Sequence, residues 1–217
     1  GAADTAAYFP LLRGRRVAVL ANQTSRVGDE HLVDLLHRSG VRLTAIFSPE
    51  HGFRGTADAG EKVGSTVDAK TGIAIWSLYD GRTLRPSDER MRSFDVLLVD
   101  LQDVGLRFYT YYISMLRMID ACADFGRSVV ILDRPNPNGM YVDGPVLDMR
   151  YKSGVGALPI PVVHGMTLGE IARMAIGEGW AKRSDLTVVP VENYRRSMRY
   201  RLPVPPSPNL PTQHAVL

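Results

Sequence analysis

Cysteine is almost missing from this 217-residue chain: Cys122 stands alone. No intrachain disulfide and no cysteine-ligated zinc site can therefore form. No run of eighteen apolar residues occurs, so there is no candidate membrane span, and Gly1-Ala2-Ala3-Asp4 lacks the basic and apolar pattern of a signal segment. An excess of one charge sign is missing too, with 26 Lys and Arg against 23 Asp and Glu. The densest basic run, Arg195, Arg196, Arg199 and Arg201, reads first as a solvated face, with contact to an anion as the lesser alternative and nucleic acid disfavoured. Several cofactor signatures are absent. There is no G-x-G-x-x-G after the first strand, no G-x-x-x-x-G-K-[ST], no G-x-S-x-G and no H-E-x-x-H. Dinucleotide binding, P-loop chemistry, the serine-hydrolase elbow and a zincin site all lose support, and no cofactor is expected.

What is present is alternation. Short apolar runs at residues 16–21, 43–47, 73–78, 96–101, 128–132 and 186–191 have strand character. Helical periodicity lies between most of them: Leu32, Val33, Leu35 and Leu36, then residues 87–93, 111–125 and 167–180. This predicts an α/β, Rossmann-like fold with a mostly parallel sheet of about six strands and helices on both faces. Residues 1–202 are read as that domain, and 203–217, rich in proline, as a segment leading on to a C-terminal domain absent from this sequence. The connections 48–72 and 133–163 are too long for simple turns and are expected to serve function.

In open parallel sheets ligands bind beyond the carboxyl ends of the strands. Those ends carry Asn22 and Gln23, then Ser48-Pro49-Glu50-His51-Gly52, then Asp100, Gln102 and Asp103, then Asp133, Arg134 and Asn136. Asp100 and Asp133 could equally cap helices or brace loops. Asn22-Gln23-Thr24 is also a weak match to a glycosylation sequon. Glu50 has the stronger case for chemistry, because Pro49 fixes the entry to its turn, Gly52 frees the exit, and no helix pattern requires its charge. His51 and His164 could be acid or base groups, metal ligands or core histidines. Thr167 and Glu170 have capping-box spacing. The segment Gln102 to Tyr111 packs amide, acid, Arg107 and aromatics into one loop, a mixture suited to sugars. A metal site from Glu50, His51, Asp100 and Asp103 is a minor alternative, since its ligand spacing fits no fixed pattern.

Taken together, Asn22-Gln23-Thr24, Ser48-Pro49-Glu50-His51-Gly52-Phe53-Arg54-Gly55, Gln102-Asp103-Val104-Gly105 through Tyr111, Asp133-Arg134-Pro135-Asn136-Pro137 and His164-Gly165-Met166-Thr167 resemble the DUF1343 family. That family includes NamZ-type exo-β-N-acetylmuramidases. The resemblance implies a glycoside hydrolase that removes terminal N-acetylmuramic acid from peptidoglycan fragments, at a periplasmic or cell-surface location. For such a hydrolysis Glu50 is read as the acid, its turn partly desolvated by Phe53 and neighbouring aromatics so that its pKa rises, with Asp103 and His164 as candidates for the second catalytic role. Asn22, Gln23, His51, Arg54, Gln102, Arg107, Tyr109, Arg134 and Asn136 are the expected substrate contacts, with Arg54, Arg107 or Arg134 meeting the lactyl carboxylate. The rival readings are a non-catalytic peptidoglycan or glycan-binding module and a metal-dependent hydrolase.

Overall fold

Strands that feed a parallel sheet are apolar on both sides because helices cover both faces, and the six apolar runs behave in this way. The computed structural model describes residues 1–50, 52–53, 66–78, 85–207 and 209–212. Its strands are β1 (Val17–Ala21), β2 (Arg26–Val27), β3 (Glu30–His31), β4 (Leu43–Ser48), β5 (Thr66–Val67), β6 (Ala74–Ser77), β7 (Val96–Asp100), β8 (Ser128–Leu132) and β9 (Leu186–Val189). The helices are α1 (Thr5–Leu12), α2 (Leu32–Arg38), α3 (Asp88–Arg92), α4 (Tyr111–Asp124) and α5 (Leu168–Gly177). The main sheet runs β5-β6-β4-β1-β7-β8-β9, and every pairing from β6 to β9 is parallel.

Residues alternate between the two faces, as the strand period of two requires. Val17, Val19 and Ala21 of β1 enter a core with Tyr8 and Leu12 of α1 and Leu32, Val33 and Leu36 of α2. Ala18 and Leu20 enter the opposite core with α4 and α5. Cys122 lies in that second core, where burial pushes its thiol up to about 12.

The six expected parallel strands are present, and the sheet gains a seventh member, β5, which pairs antiparallel with β6 at the edge. Two residues are too few to show periodicity, so β5 was not legible. The β2–β3 hairpin is equally short. Helix α1 was also not anticipated, because Pro10 interrupts its apolar pattern. Beyond Val189 the described residues form no further helix or strand, and none of the described helices is long and apolar enough to cross a membrane.

Strand order decides where a site can form. The chain winds outward from β1 through β4 to β6, then returns to the other side of β1 and continues through β7, β8 and β9. Connections therefore leave β1 and β7 in opposite directions, and a crevice opens beyond their carboxyl ends. Asn22 follows β1 there, and Gln102 and Asp103 follow β7.

The opposite edge of the sheet is fixed by Asp95. Its carboxylate takes the Arg16 backbone N–H at 2.9 Å and the Arg16 guanidinium at 2.7 and 3.2 Å, which ties the start of β7 to the start of β1. Those hydrogen bonds hold the Asp95 carboxyl down at about 2. A depressed folded pKa means stability that is present above the unfolded value near 3.9 and lost as pH falls through about 2. Both side chains are one-third exposed, so solvent screening keeps the pair's contribution small. Asp95→Asn should lower Tm by about 2–4 °C at pH 7, with the difference from wild type disappearing near pH 2. Equal Tm values at pH 7 would contradict this role.

Candidate active site

The end of β7 places Asp100 wholly out of water, where an isolated carboxylate is costly. Arg134, two residues beyond β8, supplies the counter-charge. Its Nε donates to Asp100 Oδ1 at 2.5 Å and its Nη2 to Oδ2 at 2.9 Å, while Nη2 also reaches the Arg26 carbonyl at 2.9 Å. Burial opposes the guanidinium's charge, but the Asp100 carboxylate more than offsets it and raises the Arg134 pKa. Arg134, expected to bind substrate, thus has its fork committed to Asp100, and Asp100 is removed from the conceivable metal set.

Asp133 also has a bracing role. Burial raises its carboxyl pKa against the hydrogen bonds it accepts from Thr167 Oγ1 at 2.6 Å and the Gly169 N–H at 2.9 Å. It therefore anchors the start of α5, beside the capping box of Thr167 and Glu170.

After β7 the chain turns at Asp103 and Gly105. Asp103 Oδ2 accepts the Gly105 N–H at 2.7 Å. The His164 ring is fully buried, and its Nε2 sits 3.4 Å from the same oxygen. That distance is contact but not a hydrogen bond, and Nε2 has no hydrogen-bond partner among the described residues. His164 Nδ1 accepts the Met166 N–H at 3.2 Å, so in the neutral ring the proton resides on Nε2, facing Asp103. Gly105 has φ +81°, and a Cβ there would lie 2.3 Å from Asn136 Oδ1. Asn136 is itself engaged, donating to the Met166 carbonyl and accepting the Asn138 N–H.

Glu50 stands two residues past β4, inside a turn closed by the Gly52 N–H donating to the Pro49 carbonyl at 3.2 Å. Gly52 takes φ +77°, the freedom expected of it. Glu50 Oε2 accepts a hydrogen bond from Thr110 Oγ1 at 3.0 Å. Thr110 occupies the N-cap position of α4, yet its side chain makes no capping bond. Sequence reasoning missed it, because a threonine before a helix reads as a cap. Phe53, expected near Glu50, packs edge-on against His31 with ring centroids 4.8 Å apart.

The tyrosines flanking Thr110 hold something else. Tyr109 Oη donates to the Pro206 carbonyl at 2.8 Å, Tyr111 Oη reaches it at 3.4 Å, and Gln23 Nε2 reaches it at 3.0 Å. Burial, then Tyr111, Asp103 and Glu50, push the Tyr109 hydroxyl well above its ordinary pKa. The Tyr109 hydroxyl, like the Gln23 amide, is engaged by the proline strap. Arg107 is engaged as well, donating to the Pro145 and Ile160 carbonyls at 2.7 Å each, which braces the 133–163 connection. Gln102 Nε2 binds the Asp103 and Pro135 carbonyls. Asn22 Oδ1 accepts from Thr24, and the side chain is fully buried, which excludes it as a glycan acceptor. His51 and Arg54 lie outside the described residues.

Several polar atoms here are buried without a hydrogen-bond partner among the described residues: Asn22 Nδ2, Gln23 Oε1, Ser48 Oγ, Gln102 Oε1, Asp103 Oδ1 and His164 Nε2. Register makes the ends of β4, β1 and β7 adjacent, with Leu20 beside Phe47 and Ala21 beside Asp100. All of these groups but His164 Nε2, which faces Asp103, thus belong to neighbouring strand ends. Buried polar groups are normally satisfied, so such a concentration marks a place built for a polar ligand. Among the described residues no cluster of His, Cys, Asp and Glu could hold a metal ion.

Residues 17–214 match the family model described as exo-beta-N-acetylmuramidase NamZ, N-terminal. The chain is 43% identical over 212 residues to the peptidoglycan beta-N-acetylmuramidase NamZ of Bacillus subtilis strain 168, covering 94% of this chain and 51% of that protein. It also superposes on crystal structures of two DUF1343 family proteins from Bacteroides fragilis NCTC 9343. One gives a TM-score of 0.90 at 56% identity over 99% of this chain and 57% of that one. The other gives 0.89 at 34% identity over 98% and 55%. The chain thus spans about half the length of these relatives.

Arg134→Met separates bracing from substrate contact. Leaving Asp100 buried without its counter-charge should cost about 3–5 kcal/mol in urea unfolding. Unchanged stability with only weakened saccharide binding would return Arg134 to the substrate.

Proposed function

This chain belongs to the exo-β-N-acetylmuramidase NamZ N-terminal family, and on that premise we propose that it carries the catalytic acid of a glycoside hydrolase releasing terminal N-acetylmuramic acid from peptidoglycan fragments. The observation that carries the reading is the group of buried polar atoms without partners among the described residues at the adjacent ends of β4, β1 and β7, the same ends that Glu50 and Asp103 follow. A sugar supplies hydroxyls and an acetamido group in the number needed to satisfy such a floor. We likewise propose that the protein works outside the cytoplasmic membrane, where peptidoglycan lies, and that a second domain completes the cleft.

Glycoside hydrolysis needs an acid for the departing oxygen and a second group that attacks or activates water. Glu50 fits the first role. Thr110 Oγ1 donates to Oε2, which orients the carboxyl plane. Asp103 fits the second role, its carboxylate either attacking the anomeric carbon or taking a proton from the attacking water, with the His164 ring 3.4 Å from Oδ2 to fix its position. Arg107 and Arg134 are engaged elsewhere, so Arg54 is the remaining cation of the original three for the lactyl carboxylate of the scissile sugar.

The test uses this chain and a form extended by the second half that its relatives carry. In the extended form, Glu50→Gln should lower turnover of a muramyl disaccharide by roughly two to four orders of magnitude. It should cost far less with nitrophenyl muramide, whose leaving group departs unprotonated. Thr110→Ala should lower kcat with KM little changed, and Thr110→Ser should restore it. Disaccharide turnover by Glu50→Gln near the wild-type rate would remove Glu50 from the acid role, and binding without any turnover would favour the glycan-binding module.

A further inference from the structure

A pocket of about 500 Å³ lies beside the site, and none of the residues expected to contact substrate lines it. Its wall joins Asn138, Met140 and Tyr141, from the connection after β8, to Arg199, Tyr200 and Arg201. It is continuous with the catalytic loop, because Asn138 Nδ2 donates to the Val104 carbonyl at 2.9 Å, next to Asp103. Tyr141 Oη reaches Asn138 Oδ1 at 3.4 Å, and Tyr200 interacts with the Arg134 guanidinium.

Two features define what it would take. Met140 is 50% exposed and Tyr141 43%, an apolar surface on which a ring can pack. Arg199 and Arg201 are exposed, and among the described residues neither has an acidic or hydrogen-bonding partner, whereas nearby Arg196 pairs with Glu170 at 2.6 Å. Two uncompensated guanidinium groups beside an aromatic wall favour a carboxylate attached to a ring.

Position sets the pocket apart from Glu50. Pro137 and Asn138 follow β8, Glu50 follows β4, and three strand spacings, about 14 Å, separate those strands. One sugar ring cannot span that distance, but a short oligosaccharide can. Along a peptide-free glycan strand the lactyl carboxylate recurs on every second sugar, so the next one falls two rings beyond the cleaved bond.

We propose that this pocket is a distal subsite for the next carboxylate-bearing sugar of the fragment, with Arg199 and Arg201 pairing with the carboxylate and Met140 and Tyr141 packing on the ring. The assignment rests on the glycosidase reading above, and it converts a general affinity for cell-wall saccharide into a preference for fragments longer than a disaccharide.

The probe is a peptide-free tetrasaccharide of alternating N-acetylmuramic acid and N-acetylglucosamine, with N-acetylmuramic acid at its non-reducing end. Its third-ring carboxylate is left free, amidated, or extended by a stem dipeptide. Calorimetry gives binding to the wild-type chain and to Arg199→Gln/Arg201→Gln, whose Tm checks folding. The double variant should bind the free acid about tenfold more weakly. Amidation should cost the wild type the same factor and the variant nothing further, because both changes remove one interaction. A dipeptide form bound as tightly as the free acid makes any carboxylate on that sugar sufficient, while one bound as weakly as the amide makes the lactyl group the source. Equal affinity of variant and wild type, or an equal amidation cost in both, overturns the subsite. Chromatography for free N-acetylmuramic acid in the same samples, repeated with the extended form, tests the glycosidase reading separately, since binding and release can fail independently.

Discussion

The buried pair between Asp100 and Arg134 is the constraint on which the site depends. A carboxylate at the end of a central strand, with no water around it, demands a cation, and Arg134 from beyond the next strand meets it with both arms of its fork. That demand fixes the path of the chain after β8, which then delivers Asn136 against Gly105 and Asn138 against Val104. The Asp103–Gly105 turn, and through it the contact with His164, is therefore shaped by a charge pair that touches no reacting atom. Such pairs add little net stability compared with a well-packed apolar substitute, but breaking one strands a charge. Their value here is in specifying one arrangement of loops.

A second coupling runs through Tyr109, Thr110 and Tyr111. The central residue orients Glu50, and its neighbours hold the Pro206 carbonyl. One tripeptide at the start of α4 thus ties the Glu50 carboxyl to the strap that passes over the edge of the sheet. Groups that resemble a sugar-stacking platform in sequence, Tyr109 and Gln23, serve to seat this strap. Displacement of the strap would be felt at the Glu50 carboxylate.

Much of this architecture was legible from the residues. Buried parallel strands announce themselves as apolar runs, and Gly40, Thr167 and Glu170 punctuate the helices by local chemistry alone. The clustering of polar residues at strand ends followed from the same alternation. Strand order did not, because nothing local encodes which neighbours pair, and the reversal between β1 and β7 became visible only in the sheet. The roles of Arg134, Arg107 and Asn136 were equally hidden, since an arginine or amide at a strand end looks the same whether it awaits a ligand or already holds a carboxylate or carbonyl. Thr110 was masked by its cap position. Arg199 and Arg201 were read as a solvated face because the pocket they border is assembled from residues sixty positions earlier.

The most direct measurement follows the oxygen of water. The form extended by the second half found in its relatives is incubated with a muramyl disaccharide in ¹⁸O-labelled water, and the products are analysed by mass spectrometry before anomeric exchange. Hydrolysis at the muramyl anomeric carbon predicts free N-acetylmuramic acid carrying the label at that carbon, and N-acetylglucosamine without it. Absence of released N-acetylmuramic acid, or label placed on N-acetylglucosamine instead, would contradict the assignment of this edge as a muramidase active site.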